Sequence, residues 1–270
     1  MSRASSIGAD AAWSFSKPGQ RSAWPYNKWF AAHIVRRTRY AYVREHWDQE
    51  IGAMLAQEAL QAEPLDPVSV RLEGQDRETL GKAYRTGIRT LMQLFDAVAT
   101  RDAATTFCRA AAIAPGDLIA LLRTLYKLLP FGAEMRQLVA EDDSTLLEYV
   151  RILTARRLGH SLALLDTGRT PAGRARLAAE TGIPESALFD LVLRADLTRL
   201  HLMGGGMVRQ IWALGYGGLQ ALAKADPDEY QARCAAYYAA TAKGLPFDLN
   251  RQAIEGTIAR AQRARIIMEE

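Results

Sequence analysis

The sequence predicts an all-α protein. Alanine, leucine and arginine, which favour helix, recur along its 270 residues, and only 10 prolines interrupt them. Apolar residues are spaced by three and four over long stretches, and no segment sustains the alternation typical of a half-buried strand. The chain is long enough to bury a substantial core, and its 49% hydrophobic and 24% charged residues are ordinary for a globular protein. We therefore expect a helical bundle without a sheet.

Residues 1–27 form a predicted extended arm, because they show no helical or strand period. Four aromatic residues, Trp13, Phe15, Trp24 and Tyr26, lie among glycine, serine and proline. Residues 1–44 contain eight lysines and arginines against one acidic residue, whereas the whole chain has a net charge of +4, so the rest of the chain is net acidic. A solvated tail seldom carries so many aromatic residues. We expect the arm to be ordered by packing, either on the body of this chain or on a partner.

Residues 28–62 are predicted to form one long amphipathic helix. Its apolar stripe runs from Trp29 to Met54 in steps of three and four residues. Pro64 and Pro67 end it, since each disfavours helix at the residue before it.

The remainder of the chain indicates a tandem duplication. Residues 94–113 align with 164–183 at an offset of 70, and residues 136–140 align with 209–213 at an offset of 73. Matches in the same order at nearly constant spacing are typical of internal repeats. We predict a first helical repeat at 68–150, a second at 151–248 and a closing helix at 249–270.

Three consecutive glycines, Gly204, Gly205 and Gly206, stand between two helical segments of the second repeat. A dinucleotide-binding glycine motif would need a preceding strand, which the sequence does not predict. A helix-hairpin-helix fits better, because its two helices are joined by a tight glycine turn, with Gly215 ending the second helix.

The wider pattern resembles an uncharacterised bacterial family of helix-hairpin-helix-type domains. The resemblance covers residues 160–232 well, the first repeat faintly and the first 62 residues not at all. It implies a fold and carries no settled function. The residues that match the family pattern are Ala195, Asp196, Leu197, Arg199, Gly204, Gly206, Gly215, Asp226 and Pro227.

The glycine turn has two interpretations. Nucleic-acid-binding hairpins present backbone N–H groups and a nearby cation to phosphate, and Arg209 is the candidate cation. Against this, residues 181–215 have no net charge, Gly205 replaces the apolar residue that normally fixes the turn, and the first repeat places Glu134 at the equivalent turn. We expect a packing hinge and keep phosphate contact as the alternative.

The sequence shows no pattern typical of a metal site, a cofactor site or a catalytic site. The four histidines are scattered, and Cys108 and Cys234 have no ligand spacing. We expect a non-catalytic protein without a metal or cofactor, and we do not expect a small-molecule substrate. No signal-peptide core and no stretch of 18 apolar residues is present, so we expect the cytoplasm, with attachment to a membrane surface left open.

Three hypotheses for function follow. The first is an assembly, adaptor or scaffold protein that binds a protein partner through the arm, since Trp, Tyr and Arg dominate interfaces. The second is a nucleic-acid-binding protein that uses Gly204, Gly205, Gly206 and Arg209. The third is peripheral membrane attachment through residues 24–47. The arm residues of the first hypothesis are Trp13, Phe15, Trp24, Tyr26, Trp29, Phe30, Arg36, Arg37 and Arg39.

Overall fold

The computed structural model describes residues 13–15, 24–56, 72, 74–200, 203–241, 251–264 and 266–269. This part of the chain is mostly helical, which confirms the all-α prediction. The chain divides into two compact units on either side of Leu129 and Pro130. Unit 1 contains the described residues up to 129, and unit 2 contains those from 130 onward. The rest of the predicted arm, and residues 57–62 of the predicted long helix, lie outside the described residues.

The arm forms a two-residue antiparallel ladder, where the sequence predicts no sheet. Strand β1 (Ser14–Phe15) pairs with β2 (Trp24–Pro25), with Phe15 opposite Trp24. A ladder this short is stable only when its side chains are packed elsewhere. The aromatic side chains described below supply that packing.

The prediction of one helix over 28–62 is wrong. The chain instead forms several short helical segments. They are α1 (Tyr26–Phe30), a π-helical segment (Ala31–Val35), α2 (Arg36–Thr38), α3 (Ala41–Trp47) and α4 (Ile51–Ala56).

The breaks lie at Tyr40 and Asp48, whose backbones are extended with ψ of 131° and 126°. The second break is held by contacts distant in sequence. The Asp48 carboxylate accepts a hydrogen bond from the Met92 amide at 2.9 Å, and the Ile51 amide donates to the Arg89 carbonyl at 2.8 Å. These bonds replace intrahelical ones, so a continuous apolar stripe folds into a bent chain.

The remaining helices of unit 1 enclose its core. Leu80, Leu94 and Leu121 are fully buried between them. Thr90 begins one of these helices with a complete capping box to Gln93. The helices are α5 (Gly74–Arg85), α6 (Leu91–Ala97), α7 (Arg101–Ala111) and α8 (Pro115–Leu125), followed by a 3₁₀ turn (Tyr126–Leu128).

Unit 2 has the same succession of helices and then continues. A 3₁₀ helix (Met135–Leu138) precedes four helices, and four more follow them. The first four are α9 (Ser144–Ala155), α10 (Ser161–Gly168), α11 (Pro171–Thr181) and α12 (Glu185–Leu197). The last four are α13 (Gly205–Ala213), α14 (Leu219–Ala223), α15 (Pro227–Thr241) and α16 (Arg251–Arg263).

Each of the helices α9 to α12 begins 70 residues after the corresponding helix of the series α5 to α8. Thr100 and Thr170 cap corresponding helices, and Ala112 and Gly182 end these helices in the left-handed conformation. This regular spacing agrees with the predicted duplication. The predicted repeat boundary after residue 150 falls inside α9, however, and the helix starts do not show the drift to an offset of 73.

The closing helix is shorter than the predicted 249–270, because α16 ends at Arg263. Residues 266–269, hereafter the C-terminal tail, are not helical. The Glu269 amide donates to the Arg169 carbonyl at 3.0 Å instead of to its own helix. Gly215, with φ of 87°, follows the end of α13, as the sequence predicts.

Candidate functional site

Five of the nine arm residues predicted to bind a partner are buried in unit 1. Trp13, Phe15, Tyr26, Trp29 and Phe30 are each less than 10% exposed. The Phe15 and Trp29 rings stack at 3.8 Å, and the Trp13 ring meets Tyr26 edge-on at 5.3 Å. The Tyr26 hydroxyl donates to the Val98 carbonyl at 2.7 Å. The arm therefore packs on its own unit, and these five side chains cannot contact a partner in this conformation.

Arg37 also points inward. Its guanidinium donates to the Tyr126 carbonyl at 3.0 Å and lies 5.4 Å from the Tyr126 ring. Burial lowers the pKa of Arg37 to about 10, so the side chain remains a cation at neutral pH. Arg37 thus fastens the arm to the end of α8 rather than facing solvent.

The other three predicted arm residues, Trp24, Arg36 and Arg39, are exposed. Lys28 and Val35 lie with them on the outer side of the same segment and are exposed too. The Lys28 ammonium sits 5.3 Å from the centre of the Trp24 ring, within cation–π range. We call these five residues, Trp24, Lys28, Val35, Arg36 and Arg39, the basic strip.

The π-helical segment decides which side chains belong to the basic strip. The steps of three and four residues from Trp29 place Arg36 on the inner face. A π turn contains more residues than an α turn, so it rotates the following residues outward by about one position. Arg36 is consequently exposed and Arg37 faces inward. π turns inside α-helices occur frequently at functional sites.

Sequence reasoning missed Lys28 and Val35. The four-residue spacing from Val35 to Arg39 is a signal that could have found Val35, since residues four apart share one face of a helix. Trp24 lies in β2, so no helical spacing relates it to Lys28. Five of the six predicted aromatic residues of the arm are buried, whereas Lys28 and Val35 are exposed.

In the glycine turn, only the middle glycine is required by packing. A Cβ atom at Gly205 would lie 2.5 Å from the Gln137 Cβ and 2.6 Å from its carbonyl oxygen. Gly204 and Gly206 have open space at the same position, and none of the three has a positive φ. Gly205, which stands where such turns normally have an apolar residue, lets the start of α13 approach the backbone at Gln137.

Arg209, the predicted phosphate-binding cation, donates to the Gln137 carbonyl at 2.7 Å. It lines a groove of about 410 Å³ together with Arg136, Gln137, Glu141 and Leu147. The groove therefore contains two arginines and one glutamate.

The Ala-Asp-Leu-x-Arg run of the second repeat forms a buried ion pair. Arg199 Nε donates to Asp196 Oδ1 at 2.7 Å, and both side chains are under 5% exposed. Burial raises the pKa of Asp196, and the nearby Arg199 charge opposes that rise. The adjacent Arg194 is also buried, with bonds to Asp190 and the Leu138 carbonyl and the Trp212 ring 4.2 Å away. These charged side chains form ion pairs and a hydrogen bond to the backbone in the interior of unit 2.

Neither cysteine has the properties of a nucleophile. Burial raises the pKa of Cys108 to about 11 and also raises that of Cys234, so both are thiols at neutral pH. Among the described residues, no group of three His, Cys, Asp or Glu side chains could hold a metal ion. His201 lies outside the described residues.

Within the described ranges, no single helix has the length and apolar character needed to cross a membrane. The helices Arg101–Ala111 and Pro115–Leu128 meet those criteria only when taken together, and they are bent by 111°.

Residues 148–263 match a family described as Domain of unknown function (DUF4332). Comparisons with curated proteins and with solved structures gave no match. The matched range begins inside α9 and ends with α16, so it includes the glycine turn and the buried Asp196–Arg199 pair but neither the basic strip nor the C-terminal tail. The greater part of unit 2 is therefore similar to an uncharacterised domain family.

Proposed function

We propose that this protein is a non-catalytic adaptor that binds an acidic surface of a protein partner through the basic strip of unit 1. The observation that carries the proposal is that the apolar side chains of Trp24 and Val35 and the cations of the basic strip are exposed on a segment whose residues Tyr26, Trp29 and Phe30 are buried. Of the nine predicted arm residues, the proposal keeps the three exposed ones, which a partner can reach, and it adds Lys28 and Val35.

The apolar part of the basic strip is unusual for a solvated surface. Trp24 is 36% exposed and Val35 is 46% exposed, and the other large hydrophobic side chain exposed in the described residues is Ile266 of unit 2. Tryptophan and arginine are the residue types most enriched at the energetic centres of interfaces. Trp24 and Arg36 would supply such a centre.

The charge of the basic strip selects the partner. Residues 24–39 contain four lysines and arginines and no aspartate or glutamate. Complementary charge steers association and rejects partners of like charge. An acidic protein surface fits this segment, and a basic one does not.

The backbone beneath the basic strip is held in place before binding. The stacked Phe15 and Trp29 rings, the Tyr26 hydroxyl bond to Val98 and the Arg37 bond to Tyr126 all fix the segment on unit 1. A preorganised surface loses less conformational entropy when it binds. The buried aromatic residues thus support binding without touching the partner.

The test compares the size of the native complex in extracts of the protein's own cells for three full-length chains. The first is the wild type, the second carries Trp24→Ala, Arg36→Glu and Arg39→Glu, and the third carries Arg151→Glu on the exposed surface of unit 2. We expect the wild type and the Arg151→Glu control to elute as a larger complex, and the strip variant to elute as the 29.8 kDa chain. Equal elution of all three would contradict the proposal.

The same chains distinguish the other two hypotheses. Binding of the wild type to vesicles of anionic lipid, lost in the strip variant, would instead support membrane attachment through residues 24–47. Binding to duplex DNA that is unaffected by the strip substitutions would point to unit 2.

A second candidate function is nucleic-acid binding at a helix-hairpin-helix-type glycine turn. The favouring observations are that a Cβ at Gly204 or Gly206 would meet open space and that Arg136 and Arg209 line one groove. The Gln137 carbonyl already accepts from Arg209, and Glu141 lies in the same groove, so the positive field that most phosphate affinity requires is weak. Salt-dependent DNA binding by the full chain, lost on Arg136→Glu with Arg209→Glu and retained with Arg151→Glu, would establish this candidate.

A further inference from the structure

The turns that follow α5, α9 and α13 have the same geometry. In each, the second residue after the helix has a positive φ, and its amide donates to the carbonyl three residues earlier at 2.9–3.1 Å. These residues are Gly87 with φ of 99°, Arg157 with φ of 64° and Gly215 with φ of 87°. Glycine is the usual residue in this conformation, because a side chain destabilises it. The middle turn thus has an arginine where the other two turns have glycine.

The Arg157 side chain is exposed, and among the described residues its guanidinium has no hydrogen bond or ion pair. Residues held in an uncommon backbone conformation cluster at functional sites. The side chain of Arg157 therefore does not stabilise the turn that it occupies, and its exposed cation is the property that distinguishes this turn from the other two.

Arg157 belongs to a group of three exposed arginines. The Arg156 guanidinium donates to the Glu180 carbonyl at 2.6 Å, which joins the turn after α9 to the end of α11. Arg176 of α11 lies 4.0 Å from the Glu180 carboxylate, and its side chain is 63% exposed. We call Arg156, Arg157 and Arg176 the arginine patch. It places three cations around one carboxylate.

The arginine patch differs from the basic strip because it has no apolar centre. In the described residues the large hydrophobic side chains that are exposed are Trp24, Val35 and Ile266, and none of these belongs to α9, α10 or α11. The energetic centre of a protein interface is usually a buried aromatic or apolar side chain. A phosphate group needs only cations and hydrogen-bond donors, and a guanidinium can bind it through two parallel N–H groups. The patch therefore fits phosphate better than it fits a protein surface.

We propose that the arginine patch binds the phosphate backbone of a nucleic-acid duplex without reading its sequence. Contacts to phosphate position a protein on a duplex but carry no sequence information. Single strands are usually held by stacking of bases on aromatic side chains, and no exposed aromatic residue belongs to α9, α10 or α11. The site is separate from the glycine turn with its Arg136 and Arg209, and it does not depend on the basic strip.

The experiment titrates full-length chains against a fluorescein-labelled DNA duplex of mixed sequence and measures polarisation at several salt concentrations. The decisive variant is Arg157→Gly, because it gives this turn the residue that the turns after α5 and α13 have. We expect its melting temperature to equal or exceed that of the wild type. Its affinity for the duplex should fall several-fold, and the slope of log affinity against log salt should decrease by about one, as for one lost phosphate contact.

The matched control is Arg109→Gln, which removes one exposed arginine from the last turn of α7, the helix of unit 1 that corresponds to α11. It should bind the duplex as the wild type does. The inference is overturned if the wild type binds vesicles of anionic lipid but not the duplex, or if Arg157→Gly and Arg109→Gln bind the duplex equally. Binding that is lost on Arg136→Gln with Arg209→Gln but kept on Arg157→Gly would overturn it too, because the phosphate would then lie at the glycine turn.

Discussion

Units 1 and 2 contain the same four helices at the same spacing, but their interiors differ in polarity. At corresponding positions unit 2 buries ions where unit 1 has uncharged side chains. These buried residues of unit 2 are Arg174, Arg194, Asp196 and Arg199. The residues 70 positions earlier in unit 1 are, in the same order, Ala104, Thr124, Tyr126 and Leu129. The helix starts and the Thr100 and Thr170 caps recur in both units, whereas the charged side chains at these positions belong to unit 2.

Each unit also holds segments that lie outside the repeated helices. Unit 1 holds the aromatic arm through ring packing, the Tyr26 bond to Val98 and the Arg37 bond to Tyr126, and exposed residues of the same segment form the basic strip. In unit 2, Arg174 donates a hydrogen bond to the C-terminal tail, and Gly205 lets α13 approach the backbone at Gln137. The described helices of the two units thus form two similar frames, and the segments before and after these frames distinguish the units.

The largest effect should follow from breaking the ion pair that only unit 2 contains. Arg199→Met leaves the buried Asp196 carboxylate without this cation. Breaking one side of a buried pair typically costs about 3–5 kcal/mol, and we expect a loss of that size in the free energy of unfolding by urea at pH 7. The control is Leu129→Met at the corresponding position of unit 1, which exchanges one apolar side chain for another and should cost less than about 1.5 kcal/mol.

The same variant should be sensitive to pH. Burial raises the pKa of Asp196 above the ordinary value of a carboxyl group, so this group stabilises the fold at low pH and that stabilisation is lost as pH rises through the raised pKa. Removing Arg199 removes the charge that opposes the rise. The deficit of Arg199→Met relative to wild type should therefore be smaller at pH 4 than at pH 7. An equal deficit at both would mean that Asp196 is not the source of the loss.

The next effect concerns α13, which unit 2 adds after its four shared helices. Gly205→Ala places a methyl group against the Gln137 backbone, and we expect a loss of about 1–3 kcal/mol from overpacking. Gly206→Ala meets open space and should be neutral or stabilising by up to about 1 kcal/mol, because alanine favours helix over glycine. Thermal unfolding of the two variants decides it, and equal losses would show that the glycine turn has no special contact.

The smallest expected effect tests whether corresponding helices of the two units end in the same backbone conformation. Ala112 and Gly182 end corresponding helices with φ of 53° and 73°, a conformation that favours glycine. Ala112→Gly should stabilise the protein by about 1 kcal/mol and Gly182→Ala should destabilise it by a similar amount. Urea denaturation gives both values, and changes of the same sign would contradict the correspondence.

The parts of the fold that the sequence predicts depend on local signals. The helical class and the stop at Gly215 follow from residues close in the chain, and the offset of 70 follows from the alignment of two sequence segments. The breaks after α2 and α3 were not predictable in this way, since the second depends on Asp48 reaching Met92.

The candidate sites depend on distant contacts too. The π-helical segment exchanges the roles of Arg36 and Arg37, which a regular period of three and four cannot indicate. In unit 2, Arg174 donates a hydrogen bond to the carbonyl of Glu269 in the C-terminal tail, 95 residues later. The sequence left open whether the arm packs on this chain or on a partner, and only the tertiary structure separates the buried side chains of its described part from the exposed ones.

The most direct test of the proposed function places a photo-crosslinking amino acid at single positions of the full chain in its own cells. Val35 lies in the basic strip, Gly206 lies at the glycine turn, and Arg151 is an exposed control on unit 2. We predict a protein adduct of defined mass from Val35 and none from Arg151 or Gly206. No adduct at Val35, or adducts to nucleic acid at Gly206 alone, would contradict the assignment of the basic strip as the binding surface.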